Sequence, residues 1–132
     1  MAPNPGHTHR ICVVDDDAAV RDSMRALLES HGYEIREFDS AAAYLKDFCP
    51  HCCVIVDYRM PGMNGLELLE LLRVAEIQTP AILMTDKDEP NLTKRIGTTS
   101  AHAWLIKPIA EAELVGAIAD ACNRRCTVTA AH

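Results

Sequence analysis

Cys52-Cys53-Val54-Ile55-Val56-Asp57-Tyr58-Arg59-Met60-Pro61-Gly62-Met63-Asn64-Gly65 is the stretch that decides how this chain folds. Five apolar residues lead into a carboxylate, and turn formers follow within a few residues. A short apolar run bounded in this way reads as a buried strand. Asn64 is a helix-capping residue, and Leu66, Leu69 and Leu72 then recur at helical spacing. The stretch is therefore strand, turn and helix, with Asp57 at the C-terminal tip of the strand. In open α/β sheets, ligands bind and chemistry occurs at those tips.

Outward from this unit the pattern repeats. Residues 10–15 read as a first strand. Residues 17–30 read as a helix with Val20, Met24, Leu27 and Leu28 on one face and Gly32 just past its end. A second strand covers 33–38, and Asp39 or Ser40 caps a helix running to Phe48. Strands four and five cover 80–84 and 101–106. A final helix covers 110–124, with Leu114, Ile118 and Ala121 inward. Between strands four and five, Pro90 fits only a first helical turn, and Gly97-Thr98-Thr99-Ser100 is poor helix material. A helix there is expected to be short or mobile, or to stop early at Gly97. Five nearly all-apolar strands alternating with five helices predict an α/β domain, (βα)5, whose parallel sheet is covered on both faces.

The chain has 132 residues, enough for one domain, expected over 10–124 with loose tails at 1–9 and 125–132. A net charge of −6 argues against a free-standing nucleic-acid binder. No apolar run approaches the roughly 18 residues that span a membrane, and the polar N-terminus lacks the apolar core of a secretory signal. A cytoplasmic protein is the simplest expectation. Of the six cysteines, Cys12, Cys52 and Cys53 lie in strand-like runs, where a thiol acts as a small hydrophobe. Cys49-Pro50-His51-Cys52-Cys53 has the look of a metal knuckle, and Cys122 and Cys126 share a helix face. Yet Cys52 and Cys53 point to opposite faces of a strand, which favours free thiols over one shared ion.

A second acidic cluster, Asp15-Asp16-Asp17, closes the first strand. If strands one and three are neighbours, its carboxylates crowd the same pocket as Asp57, which is costly unless a cation is bound. Asp16 or Asp17 also suits the cap of the first helix. Thr85 follows strand four, and Lys107-Pro108 follows strand five.

The ordered set Val13-Val14-Asp15-Asp16-Asp17, Asp57-Tyr58-Arg59-Met60-Pro61-Gly62-Met63-Asn64-Gly65, Thr85 and Lys107-Pro108 resembles the receiver domain of bacterial two-component response regulators, the CheY-like superfamily. The resemblance spans residues 10–124. It implies a doubly wound, flavodoxin-like sheet of order 2-1-3-4-5, the order of the family's chemotaxis member. It implies Asp57 as acceptor of a phosphoryl group from a sensor histidine kinase or phosphotransfer protein. It implies Mg²⁺ held by Asp16, Asp57 and the Arg59 backbone carbonyl, with Asp15 in the outer shell. Lys107 would pair with phosphoryl oxygens, Thr85 would donate its hydroxyl to them, and the bond before Pro108 would be cis. Thr85 and Trp104 would form the switch. The face made by the helix before strand five, strand five and the final helix would carry output contacts, including a dimer.

Asp86 stands where the family carries a small residue, Ser100-Ala101 stands for Gly-Ala, and Asn64 replaces a common aspartate. Trp104 is bulkier than the usual tyrosine or phenylalanine. An added carboxylate at the pocket mouth either repels an incoming phosphoryl group or points to solvent, paired with Lys87. Asp86 and Trp104 also keep open a phosphorylation-independent interaction module on the same fold. An aspartyl-phosphate phosphatase of the haloacid dehalogenase type needs an acid two residues after the nucleophile, where Arg59 stands. Asp15 and Asp17 have that spacing, but Ala19 replaces the expected Thr or Val. The Asp57-Tyr58-Arg59-Met60-Pro61 stretch resembles receivers of nitrogen-fixation and LuxR-type transcription regulators. The chain is thus expected to be a stand-alone receiver or part of a longer regulator with a DNA-binding domain; Asn123-Arg124-Arg125 is too short to bind DNA itself.

Overall fold

A computed structural model describes residues 10–47, 52–86, 101 and 103–130, with side chains described as far as residue 122. Five strands, β1 (Arg10–Val14), β2 (Glu34–Phe38), β3 (Cys53–Asp57), β4 (Ala81–Thr85) and β5 (Ala103–Ile106), form one sheet of order β2-β1-β3-β4-β5. Every neighbouring pair is parallel. Four helices are described: α1 (Ala18–Glu29), α2 (Ala41–Lys46), α3 (Gly65–Val74) and α4 (Glu111–Ala130). The helix expected between β4 and β5 falls on residues 87–100, outside the described residues, as do Ser100 and Lys87.

Side-chain alternation along the strands sorts the core into two layers. Cys12, Val14, Val54, Val56, Ala81 and Leu83 face α2 and α3, where Tyr44, Leu66, Leu69 and Leu72 cover them. Ile11, Val13, Cys53, Ile55, Ile82, Met84 and Leu105 face the other way, under Leu28 of α1 and Leu114, Ile118 and Ala121 of α4. Each wholly buried Leu or Ile contributes roughly 1.5–3 kcal/mol relative to exposure. All five residues of the central strand β3 are buried, so its apolar run is continuous rather than alternating. Cys52 and Cys53 fall in opposite layers, and Cys12, Cys52, Cys53 and Cys122 are all buried, with no disulfide among the described residues. Cys49 and His51, and the side chain of Cys126, lie outside the described residues.

Caps set where the helices begin. Asp17 takes the N-cap of α1, its carboxylate accepting from the N–H groups of Ala19 (2.9 Å) and Val20 (3.4 Å). Asp16 is thereby left free of that task. Ser40 caps α2 through Ala43 N–H at 3.0 Å. Asn64 and Glu67 form a reciprocal capping box at α3. α1 closes through Gly32, whose φ of +89° suits a residue without Cβ. After α3 the same left-handed conformation falls on Glu76, at φ +60°.

Several expected limits shift. α2 ends at Lys46, before Phe48, and β4 runs one residue further, to Thr85. β5 starts at Ala103 rather than residue 101. α4 does not end at Arg124 but continues to Ala130, because no Gly or Pro stands among residues 125–130 to stop it.

Candidate functional site

The strand order makes β1 and β4 the two neighbours of β3. Val14 pairs with Val56, so the Asp15-Asp16 turn begins beside Asp57. Asp57 itself pairs with Met84, one residue before Thr85, and Thr85 pairs with Ile106, one residue before Lys107. Four segments far apart in sequence thus end at one edge of the sheet.

Asp15, Asp16 and Asp57 each offer a carboxylate oxygen, and these oxygens lie within 4.8 Å of one another. Asp15 and Asp57 are buried and Asp16 is exposed. The Asp15 Oδ1 accepts from Asp17 N–H at 2.9 Å, whereas its Oδ2 is buried without a hydrogen-bond partner among the described residues. Lys107 Nζ lies 3.1 Å from Asp57 Oδ2. The Arg59 N–H donates to the Asp57 carboxylate. Burial pushes the Asp15 carboxyl up to about 6, and the nearby Asp57 and Asp16 charges add to the effect against the Asp17 N–H. Burial likewise raises Asp57, while the Lys107 ammonium and the Arg59 N–H work the other way.

An orphaned buried oxygen and three converging carboxylates match the needs of a small, hard divalent ion, which takes oxygen ligands and keeps several waters. Thr85 is buried at the tip of β4 and donates its hydroxyl to the Asp86 carbonyl at 3.2 Å. The Lys107–Pro108 peptide bond is cis. Beside the carboxylates an open cleft of about 440 Å³ is lined by Asp16, Tyr58, Arg59, Met60, Pro61, Gly62 and Asn64.

Asp86 does carry its side chain toward solvent; among the described residues it pairs with Arg59, with Nε 3.6 Å from Oδ2 and the two side chains 52% and 63% exposed, while the expected partner Lys87 lies outside them. Trp104 stands apart from the carboxylates. It pairs with Leu83 and packs on the α2–α3 layer, with its indole Nε1 buried and without a hydrogen-bond partner among the described residues.

Two contributions escaped the motif reading. Gly65 lets α3 start against the backbone of Asp57, since a Cβ there would meet the Asp57 carbonyl oxygen at 2.5 Å. A glycine at the first position of a helix that is otherwise leucine-rich was the available signal. Arg21 donates through Nη1 to the Asp15 carbonyl at 2.6 Å. Its only trace in the sequence is an arginine on the first turn of α1.

A parallel α/β sheet that gathers three carboxylates, a lysine and a buried threonine at its strand tips defines a domain with a site suited to a divalent cation. The chain belongs to the response regulator receiver domain family, whose sequence model matches residues 11–119. The transcriptional regulatory protein FixJ of Bradyrhizobium diazoefficiens is 38% identical over 117 residues, covering 86% of this chain and 57% of FixJ. The transcriptional regulatory protein TdiR of Thauera aromatica is 33% identical over 120 residues, covering 89% of this chain and 53% of TdiR. Among solved structures, a receiver domain protein from Clostridium thermocellum superposes with a TM-score of 0.83 at 26% identity, over 91% of this chain and 98% of its own. Full-length FixJ from B. japonicum gives 0.81 at 35% identity, over 89% of this chain and 60% of its own. The chain spans about half the length of these curated relatives.

Proposed function

We propose that this receiver accepts a phosphoryl group on Asp57 from a phosphohistidine of a sensor histidine kinase or phosphotransfer protein. The observation that carries this reading is the Asp57 carboxylate, 3.1 Å from the Lys107 ammonium and grouped with Asp15 and Asp16. A carboxylate oxygen of Asp57 attacks phosphorus, the P–O bond forms as the P–N bond breaks, and the imidazole leaves and regains its proton. Such transfers depend chiefly on positioning and charge neutralisation. Lys107 supplies a fixed positive charge for the phosphoryl oxygens, and Thr85 supplies a hydroxyl once it turns from the Asp86 carbonyl. Asp16, Asp57 and the Arg59 carbonyl would hold Mg²⁺, with Asp15 in the outer shell. That ion, when bound, neutralises negative charge on the transferred group.

Labelling with acetyl phosphate in the presence of Mg²⁺ tests the reading. The wild-type chain becomes labelled and Asp57→Asn does not; undiminished labelling of the variant places the acceptor elsewhere.

The second reading, an interaction module that ignores phosphorylation, draws on the ring of Trp104 being packed against the sheet. The chain has a single tryptophan. Beryllofluoride with Mg²⁺ mimics the acyl phosphate, so an emission change on its binding supports a working Thr85–Trp104 switch. An unchanged spectrum with bound beryllofluoride supports the static module. The aspartyl-phosphate phosphatase has least support, because Arg59 occupies the position of its second acid and is engaged with Asp86.

Output proceeds through protein contacts, with a dimer across the face of β5 and α4 as one form. FixJ and TdiR are transcriptional regulatory proteins, which supports a DNA-binding domain as the output of a longer protein. Residues 10–124 form the proposed receiver, and the cytoplasm is its proposed location. Among the described residues no helix is long and apolar enough to cross a membrane.

A further inference from the structure

Arg21 touches none of the site carboxylates, yet it fixes the turn that carries two of them. Its Nη1 donates to the carbonyl oxygen of Asp15 at 2.6 Å, and its Nε lies 3.3 Å from Glu37 Oε1. The other oxygen of Glu37, Oε2, is taken by Arg25 Nε, and Arg25 also pairs with Glu29 at 3.0 Å. The Asp15 N–H donates to the Phe38 carbonyl at 3.1 Å, one residue beyond Glu37 on β2. Both backbone polar groups of Asp15 are therefore held, one by the strand and one by an arginine the strand anchors. Oδ1 of Asp15 accepts from Asp17 N–H, and Oδ2 has no hydrogen-bond partner among the described residues.

We propose that Arg21, braced by Glu37, is a positioning residue for divalent-ion binding, setting the affinity of the acidic pocket through the backbone of Asp15. The inference rests on the metal-dependent reading of the site given above. Three like charges converge here only at an electrostatic cost, which favours splaying of the turn. A guanidinium bound at two edges resists that movement. Its side chain is 17% exposed, which keeps it from exchanging its partners for water. A lysine has one donor atom and cannot bridge the carbonyl and the carboxylate with the same fixed geometry. Loss of groups that orient metal ligands typically weakens affinity about 10–100-fold.

Calorimetric titration of the whole chain with Mn²⁺ alone tests this, on wild type, Arg21→Ala, Arg21→Lys and Glu37→Gln. Arg21→Ala is expected to weaken Mn²⁺ affinity about tenfold or more. Arg21→Lys should recover part of the loss, and Glu37→Gln should fall between. Circular dichroism of each variant before titration separates positioning from damage: a population unfolded in equilibrium weakens the apparent constant only in proportion to the folded fraction, so a tenfold loss in a variant that is mostly folded reports positioning. Should Arg21→Ala fail to fold, Arg21→Lys and Glu37→Gln carry the test, and constants within twofold of wild type in both overturn the inference. Absence of Mn²⁺ binding by the wild type overturns the metal reading itself, a distinguishable result.

Discussion

Gly65 and Asp57 meet backbone to backbone: an added Cβ at Gly65 would stand 2.5 Å from the Asp57 carbonyl oxygen and 2.9 Å from Leu83 Cδ1. The same glycine donates its N–H to the Tyr58 carbonyl at 3.0 Å, so α3 is seated directly against the tip of β3. The obstructing atom is main chain and cannot swing aside. Gly65→Ala should therefore destabilise the fold by about 1–3 kcal/mol, the usual range for overpacking, despite alanine's better helix propensity. Urea denaturation measures the loss. A variant as stable as the wild type would mean that α3 has room to shift.

Asp15 gives a pH dependence of definite sign. Its carboxyl ordinarily titrates near 3.8 and is pushed up to about 6 by burial. Between these values the folded chain keeps a proton that the unfolded chain has released. The contribution to stability is present below about 3.8 and is lost as pH rises through about 6, by on the order of 2–3 kcal/mol. Glu37, lowered by its hydrogen bond to Arg25, acts in the opposite sense, its stabilisation vanishing as pH falls. Comparing wild type with Asp15→Asn in chelator isolates the first effect. The variant should be the more stable at pH 7 and lose that advantage by pH 4. Equal stabilities throughout would show that Asp15 is well solvated.

The Arg59–Asp86 pair is exposed, so it adds at most ~1 kcal/mol to stability, and its influence is on the charge at the cleft. Arg59→Ala leaves the Asp86 carboxylate unneutralised and should slow labelling by acetyl phosphate several-fold. Asp86→Ala should leave the rate unchanged or raise it, and the double variant should resemble Asp86→Ala. Additive losses in the two single variants would exclude coupling between them.

Glu76 adopts φ +60°, closing α3 in a conformation that costs a side-chain-bearing residue roughly 1–2 kcal/mol. Glycine relieves this but loses more freedom on folding. Glu76→Gly should therefore raise stability by about 0.5–1 kcal/mol, read as a higher urea midpoint with an unchanged slope.

Much of this architecture was written in the chain. The apolar runs ending at Val14, Asp57 and Ile106 announced the strands, and the tip position of Asp57 announced the site. Asn64 identified its helix start because capping is a local property of one side chain and two N–H groups. Asp17 could be separated from Asp16 only in three dimensions, since both are chemically fit to cap. The partner of Asp86 was similarly hidden: Arg59 lies 27 positions away and meets it because β3 and β4 are neighbours. Arg21 was least legible of all, for it acts on a carbonyl oxygen, and main-chain atoms leave no mark in a sequence. α4 passed Arg124 because weak helix formers are not stop signals.

Asp15, Asp57 and Thr85 close β1, β3 and β4, three adjacent strands contributed by distant parts of the polypeptide. No single strand holds more than one of them, so the pocket comes into being only as these strands pair. Under the metal reading proposed above, cation capture and sheet assembly would be a single coupled equilibrium, in which mass action by the ion draws the population toward the finished sheet.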